Sequence, residues 1–274
     1  MPTLPVSGGE MYYEDNGEGQ PVVLLHGGWL DGTFWSHQVD RLSPEYRTIV
    51  PDLRGHGRTG ATDVRRYSID LFVDDVLTLR EELSLGDPIL CGLSLGSMVA
   101  GAYAASRPAD VAGVVLAGPV RSVPPGVPDA AKAVVPTLPS LAATLAAYGS
   151  EGTFRHLASA IRSTTGSAWL SRDPAVREEA YAAAGGVSRR EFRKLFGALY
   201  RFDSPPLSPL AADDVPTLVL YGDAEAPAIK RGAGEIADEA DAQLAELSGA
   251  AHLLNRDAPL AFDRRLRQFL EAAV

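Results

Sequence analysis

The stretch Gly92-Leu93-Ser94-Leu95-Gly96 constrains this chain more than any other. The apolar run PILC precedes it, and a segment of small residues, SMVAGAYAAS, follows it. A serine between two glycines at this spacing, entered from a strand and left by a helix, has the pattern of a nucleophile elbow. The reason is steric. A residue on so sharp a turn projects its hydroxyl outward, and a side chain at either glycine would strike the neighbouring strand or helix. A helix starting at Leu95 also aims its free N–H groups and the positive end of its dipole at that hydroxyl. Ser94 is therefore the candidate nucleophile. The Leu95 N–H is a candidate donor to a developing oxyanion.

An elbow of this kind requires alternating strands and helices, and the rest of the chain supplies them. Strands are expected at Met11–Glu14, Val22–Leu25, Thr48–Val50, Ile89–Cys91, Val111–Leu116, Thr217–Tyr221 and Gln243–Leu247. Several are continuous apolar runs, as strands covered on both faces must be. Between them, Ser68–Leu83 carries Ile69, Phe72, Val73, Val76, Leu79 and Leu83 on one helical stripe. The last helix spans about Pro259–Ala272. The pattern predicts an α/β fold with a mostly parallel central sheet and helices on both faces.

The alternation breaks between residues 119 and 212. Pro124, Pro125, Pro128, Pro136 and Pro139 crowd the start of this segment, and Pro205, Pro206 and Pro209 its end. Between them lie helical patterns at Leu141–Tyr148, Glu151–Ile161, Val176–Ala184 and Arg189–Tyr200, with no convincing strand. A helical insertion bracketed by prolines inside an α/β pattern reads as a cap or lid. The expected organisation is a core of 1–118 and 213–274 interrupted by a cap of 119–212.

Two further loops bear on chemistry. His26-Gly27-Gly28-Trp29 follows the run VVLL, and its glycine pair lets backbone approach a ligand. The Gly28 N–H is the candidate second oxyanion donor. His26 is read as fixing that loop, and Asp52 and His56 of DLRGHG as structural. Near the C-terminus, GAAHLLNRDAP follows the run QLAEL. Of the five histidines, only His252 sits in a loop after a late strand, where the sheet can return it to the serine. Imidazole exchanges protons near neutral pH, so His252 is the candidate base. A carboxylate must fix its tautomer. The turn YGDAEAP, at the end of the preceding strand, offers two, Asp223 and Glu225.

Composition limits the partners. The net charge of −10, from 25 basic and 35 acidic residues, disfavours nucleic acid and anionic membrane, which both attract basic surfaces. The uncharged stretch 88–106 is nearly long enough to cross a bilayer, but its glycines and serines read as a buried strand turning into a buried helix. A lone cysteine, Cys91, allows no internal disulfide and no cysteine metal cluster, which suits a reducing cytosol. The N-terminus lacks the basic-then-apolar pattern of a secretory signal. A cytoplasmic protein needing neither metal nor cofactor is expected.

The motifs HGGW, DLRGHG, GLSLG, PTLVLYGDAE and GAAHLLNRDAP together resemble the α/β-hydrolase superfamily. The resemblance covers about residues 11–118 and 213–272. It is closest to the cofactor-free esterase, haloperoxidase and enol-lactone hydrolase branch. It implies a Ser94–His252–acid triad, with the acid three residues after the strand-end glycine. That position is Glu225, where the family usually has aspartate; Asp223 is the alternate. It further implies hydrolysis of a small-molecule ester or lactone. C–C bond hydrolysis, perhydrolysis and a slow-turnover ligand receptor use the same framework and stay open. Trp29, Phe34, Tyr148 and Trp169, with Phe154 and Phe196, are candidate pocket residues.

Overall fold

A computed structural model describes residues 2–122, 137–165 and 169–273. Apolar runs build an eight-stranded sheet: β1 Thr3–Val6, β2 Gly9–Asn16, β3 Pro21–Leu25, β4 Arg47–Pro51, β5 Ile89–Leu93, β6 Gly113–Ala117, β7 Thr217–Gly222 and β8 Gln243–Leu247. Their order across the sheet is β1-β2-β4-β3-β5-β6-β7-β8. The β1–β2 and β2–β4 pairs are antiparallel, and every other pair is parallel. The α/β-hydrolase fold and the mostly parallel sheet expected from the sequence are the fold observed. Strands β5 and β6 are buried along their whole length, which is why they read as unbroken apolar runs.

The helices are α1 Ser36–Leu42, α2 Ile69–Glu82, α3 Leu95–Ser106, α4 Thr137–Thr165, α5 Pro174–Gly186, α6 Arg189–Tyr200, α7 Ser208–Ala212, α8 Pro227–Glu239, α9 Leu254–Asp257 and α10 Pro259–Ala273. Ser68 caps α2, its side chain accepting the Leu71 N–H, with Asp70 in the first turn and Arg80 in the last. The helix α3 is made of small residues and is buried from Leu95 to Gly101. It packs against β3, β5 and β6.

The two helical patterns expected at Leu141–Tyr148 and Glu151–Ile161 form one element, α4, bent at Gly149, whose φ of 67° and ψ of −171° are not helical. A positive φ there suits glycine. Strand β1 escaped the sequence reading because four residues containing a proline carry little pattern. Helix α8 escaped it because Gly232 and Gly234 depress its propensity; burial of Ile229, Ala233 and Ile236 holds it in place. Pro124, Pro125, Pro128 and Pro136, the expected entry to the cap, lie outside the described residues.

Parallel pairing brings the functional loops together. Gly92 pairs with Leu25 on one side and Leu116 on the other, and Gly222 pairs with Leu247. The carboxyl ends of β3, β5, β7 and β8 thus open on one edge, where ligands bind in open α/β sheets. Among the described residues, no helix is long and apolar enough to cross a membrane. The stretch 88–106 instead divides at Ser94 into β5 and α3.

Candidate active site

Ser94 stands between β5 and α3 with φ 54° and ψ −109°, a conformation that costs a non-glycine residue about 1–3 kcal/mol. Its surroundings hold it there. The Ser94 N–H donates to the Ala117 carbonyl at 2.9 Å, and its carbonyl accepts from Met98 N–H at 3.1 Å. The Ser97 hydroxyl donates to the same carbonyl at 2.6 Å. The flanking glycines are sterically required. A Cβ at Gly92 would lie 2.0 Å from the Gly96 carbonyl oxygen, and one at Gly96 would lie 2.0 Å from that of Leu25.

Three side chains form one hydrogen-bonded line. The Ser94 hydroxyl lies 2.8 Å from His252 Nε2, and His252 Nδ1 lies 2.8 Å from Glu225 Oε2. His252 and Glu225 are each 3% exposed. The other Glu225 oxygen accepts the Ala226 N–H at 3.1 Å. With the Nδ1 proton donated to Glu225, Nε2 is left with a lone pair facing the serine. Such a line can take a proton from Ser94 and return it to a leaving group.

Asp223 takes a different course. Its side chain is part-exposed and pairs with Arg172 at 3.5 Å, while its carbonyl accepts from Lys230 Nζ at 2.5 Å. One turn therefore holds two acids with opposite surroundings: Glu225 points inward to the imidazole and Asp223 outward to an arginine.

The histidine loop is braced by a residue that sequence reasoning did not single out. Asp257 accepts the Ala251 N–H at 2.8 Å and the Arg172 N–H at 3.0 Å, and the Ser171 hydroxyl donates to its other oxygen. Its only sequence signal is its position in NRDAP, five residues past the histidine. Gly118 also serves the site. It adopts φ +54°, and a Cβ there would lie 3.2 Å from His252 Nδ1.

The HGGW and DLRGHG loops are joined by two buried histidines. His26 Nε2 accepts the Leu53 N–H at 2.9 Å, and its Nδ1 sits 2.8 Å from the Gly27 carbonyl. His56 Nε2 accepts the Trp29 N–H at 2.9 Å, and its Nδ1 sits 3.0 Å from the Arg54 carbonyl. Each ring accepts at one nitrogen and donates at the other, as a neutral imidazole does. Burial lowers both below the usual histidine range; the neighbouring His26 lowers His56 further. Asp52 completes the junction by accepting the Gly32 and Arg58 amides, each at 2.7 Å. The Trp29 amide is thus engaged, whereas Gly28 faces the cavity beside Ser94.

That cavity measures about 340 Å³ and is lined by both the sheet edge and the helical segment between β6 and β7. Leu30, Met98 and Ile229 line it from the first, and Val120, Leu157 and Leu199 from the second. Of the expected aromatic residues, Trp29, Trp169, Phe154 and Phe196 line it. Trp29 stacks on Phe192 at 4.8 Å, so it is wall and core together.

Phe34 and Tyr148 need correction. Phe34 is 2% exposed and lies in the core behind the site, its carbonyl accepting from Asn255 Nδ2 at 2.9 Å. Tyr148 is 59% exposed and its ring packs tilted against His156 on the outer side of α4. Aromatic character cannot tell which way a side chain faces; the local turn of the backbone decided both. The aliphatic lining left no signal, because it is indistinguishable from core until the elements pack.

Comparison with known proteins follows the same lines. A family model described as "Alpha/beta hydrolase family" matches residues 22–265. A non-heme chloroperoxidase of Kitasatospora aureofaciens is 41% identical over 91 residues, 32% of this chain and 32% of that protein. That match spans about a third of the relative's length. Among solved structures, a thermophilic esterase from Thermogutta terrifontis superposes with TM-score 0.82 at 24% identity, covering 100% of this chain and 99% of the other. The enol-lactonase from Burkholderia xenovorans LB400 superposes with TM-score 0.78 at 25% identity, covering 98% of this chain and 100% of the other.

Proposed function

Because the chain belongs to the alpha/beta hydrolase family, we propose that it is a serine hydrolase cleaving a carboxylic ester or lactone of a small to medium-sized apolar substrate. The observation that carries this reading is the line Glu225–His252–Ser94, with both links at 2.8 Å, opening on an apolar cavity. Ser94 Oγ attacks the carbonyl carbon while His252 Nε2 takes its proton. The carbonyl oxygen becomes an oxyanion held by the Gly28 and Leu95 N–H groups. Losing one such donor typically costs about 2.7–4 kcal/mol. His252 then gives its proton to the leaving alkoxide, and the C–O bond breaks. Water, deprotonated by the same histidine, releases the acid from Ser94. Glu225 keeps its hydrogen bond to His252 Nδ1 and stabilises the imidazolium.

In this reading residues 119–212 act as the cap over a core of 1–118 and 213–274. Phe154, Leu157, Phe196 and Leu199 come from it and line the cavity, so it selects the acyl or alkyl group that fits. The single buried cysteine, Cys91, suits a cytoplasmic setting.

The test is hydrolysis of p-nitrophenyl esters of increasing acyl length by the wild type and by Ser94→Ala. Loss of roughly 10⁶-fold in kcat, with unchanged thermal unfolding, is the expected outcome. Retained turnover would reject Ser94 as nucleophile. The chloroperoxidase relative favours a second reading, perhydrolysis, in which hydrogen peroxide replaces water at the acyl-enzyme. Peracid formed only in the presence of peroxide, with negligible ester hydrolysis, would select it.

A further inference from the structure

The one aromatic ring recorded against the His252 imidazole among the described residues comes from the helical insertion. The Trp169 indole stacks on the imidazole, with ring centroids 5.0 Å apart and planes 29° from parallel. The backbone of the same segment grips the histidine loop. The His252 N–H donates to the Trp169 carbonyl at 2.8 Å, and the Leu253 N–H donates to the Leu170 carbonyl at 2.9 Å. These two rungs set where the histidine Cα sits. They do not set the rotation of its ring, and a modest rotation would misalign the bonds to Ser94 and Glu225.

We propose that Trp169 is a positioning residue for His252, its indole face holding the imidazole in the orientation that serves Ser94 and Glu225 and stabilising the imidazolium formed during turnover. The proposal rests on the serine-hydrolase reading of the site. Its physical basis is twofold. A flat ring packed against another restricts rotation about the bond that carries it. A cation over an indole face is attracted by the ring quadrupole, tryptophan giving the strongest such attraction, and more so when the cation is shielded from water. His252 is 3% exposed. The insertion would then supply a working part of the catalytic apparatus as well as a wall of the cavity.

A wall and a positioning residue respond differently to substitution. A wall alters KM; a residue that orients the base alters kcat. For Trp169→Leu with p-nitrophenyl acetate, kcat should fall about tenfold, equivalent to about 1.4 kcal/mol. Trp169→Phe, which keeps an aromatic face, should recover most of that loss. An independent reading comes from NMR of the Ser94→Ala protein, in which the His252 Nδ1 proton bonded to Glu225 gives a far-downfield resonance. That resonance should weaken or vanish on adding Trp169→Leu and persist with Trp169→Phe. Unchanged kcat with a shift in KM alone, or an unchanged resonance in the Leu variant, would overturn the proposal. Should the Leu variant fail to fold, Trp169→Met, which fills much of the same volume without an aromatic face, takes its place in both measurements with the same expected and overturning outcomes. If the wild type cleaves none of the esters tested, the hydrolase reading fails, while the resonance still tests the positioning role.

Discussion

At Ser94 the backbone carries strain that the neighbouring glycines make possible. Because a Cβ at Gly96 would come within 2.0 Å of the Leu25 carbonyl oxygen, neither strand nor helix can yield without losing the sheet. Gly96→Ala should therefore destabilise the protein by more than about 3 kcal/mol, measured as the shift of its urea midpoint. The two acids of YGDAEAP make the sharpest residue-scale contrast. Glu225→Gln should lower kcat roughly 10⁴-fold with little change in KM, since an amide cannot stabilise the imidazolium. Asp223→Asn removes only a part-exposed pairing with Arg172 and should leave kcat within about twofold. A larger loss from Asp223→Asn would exchange the two roles. The sequence narrowed the acid to two residues two positions apart. The inward turn of one and the outward turn of the other came from how the strand end folds back against the histidine loop.

At the scale of elements, helix α6 is attached to the core by polar contacts that no periodicity predicts. Ser188 caps it, accepting the Glu191 N–H at 3.2 Å. The Glu191 side chain, instead of reaching back to the cap residue, receives the Tyr67 hydroxyl. Lys194 Nζ pairs with Glu191 at 2.7 Å and donates to the Thr62 carbonyl at 2.8 Å. Tyr67, Glu191, Lys194 and Thr62 are all buried. Tyr67→Phe would leave a buried carboxylate short of a donor and should cost about 1–3 kcal/mol, read as a fall in unfolding free energy. An unchanged urea midpoint would show that this junction contributes nothing to docking the helix. The helix itself was legible from its apolar stripe. Its anchoring was not, because Tyr67 and Glu191 are separated by 124 residues and only the packed fold makes them neighbours.

For the whole molecule, the most informative perturbation is pH. His26 and His56 are buried and neutral, and burial holds both below the ordinary histidine value. In the unfolded chain they take up protons near about pH 6.5. The unfolded state then binds more protons than the folded one. Their contribution is present in full above that pH and is lost as the pH falls below it. Two such groups give a slope approaching 2.7 kcal/mol per pH unit, the sum of about 1.36 for each. Asp75, raised by burial beside Arg54, acts with the opposite sign further into acid. Urea midpoints measured at about pH 8 and about pH 5.5 should differ markedly, the lower pH being the less stable. A flat profile would rule out neutral, buried histidines at the junction of the two loops.

The sequence by itself determined the elbow, the histidine loop, the glycine pair and the alternating sheet, because each is written in contiguous residues whose local geometry is short-ranged. GLSLG can make only a few kinds of turn, and continuous apolar strands can be covered only by helices on both faces. The tertiary structure turned Glu225, the acid that the family resemblance implies, to His252, and it alone decided which aromatics line the cavity and that Trp169 lies on the imidazole. Those outcomes depend on strand register and on the turn of each helix. A shift of one residue in either exchanges an inward for an outward side chain, and nothing in the local sequence records which was taken.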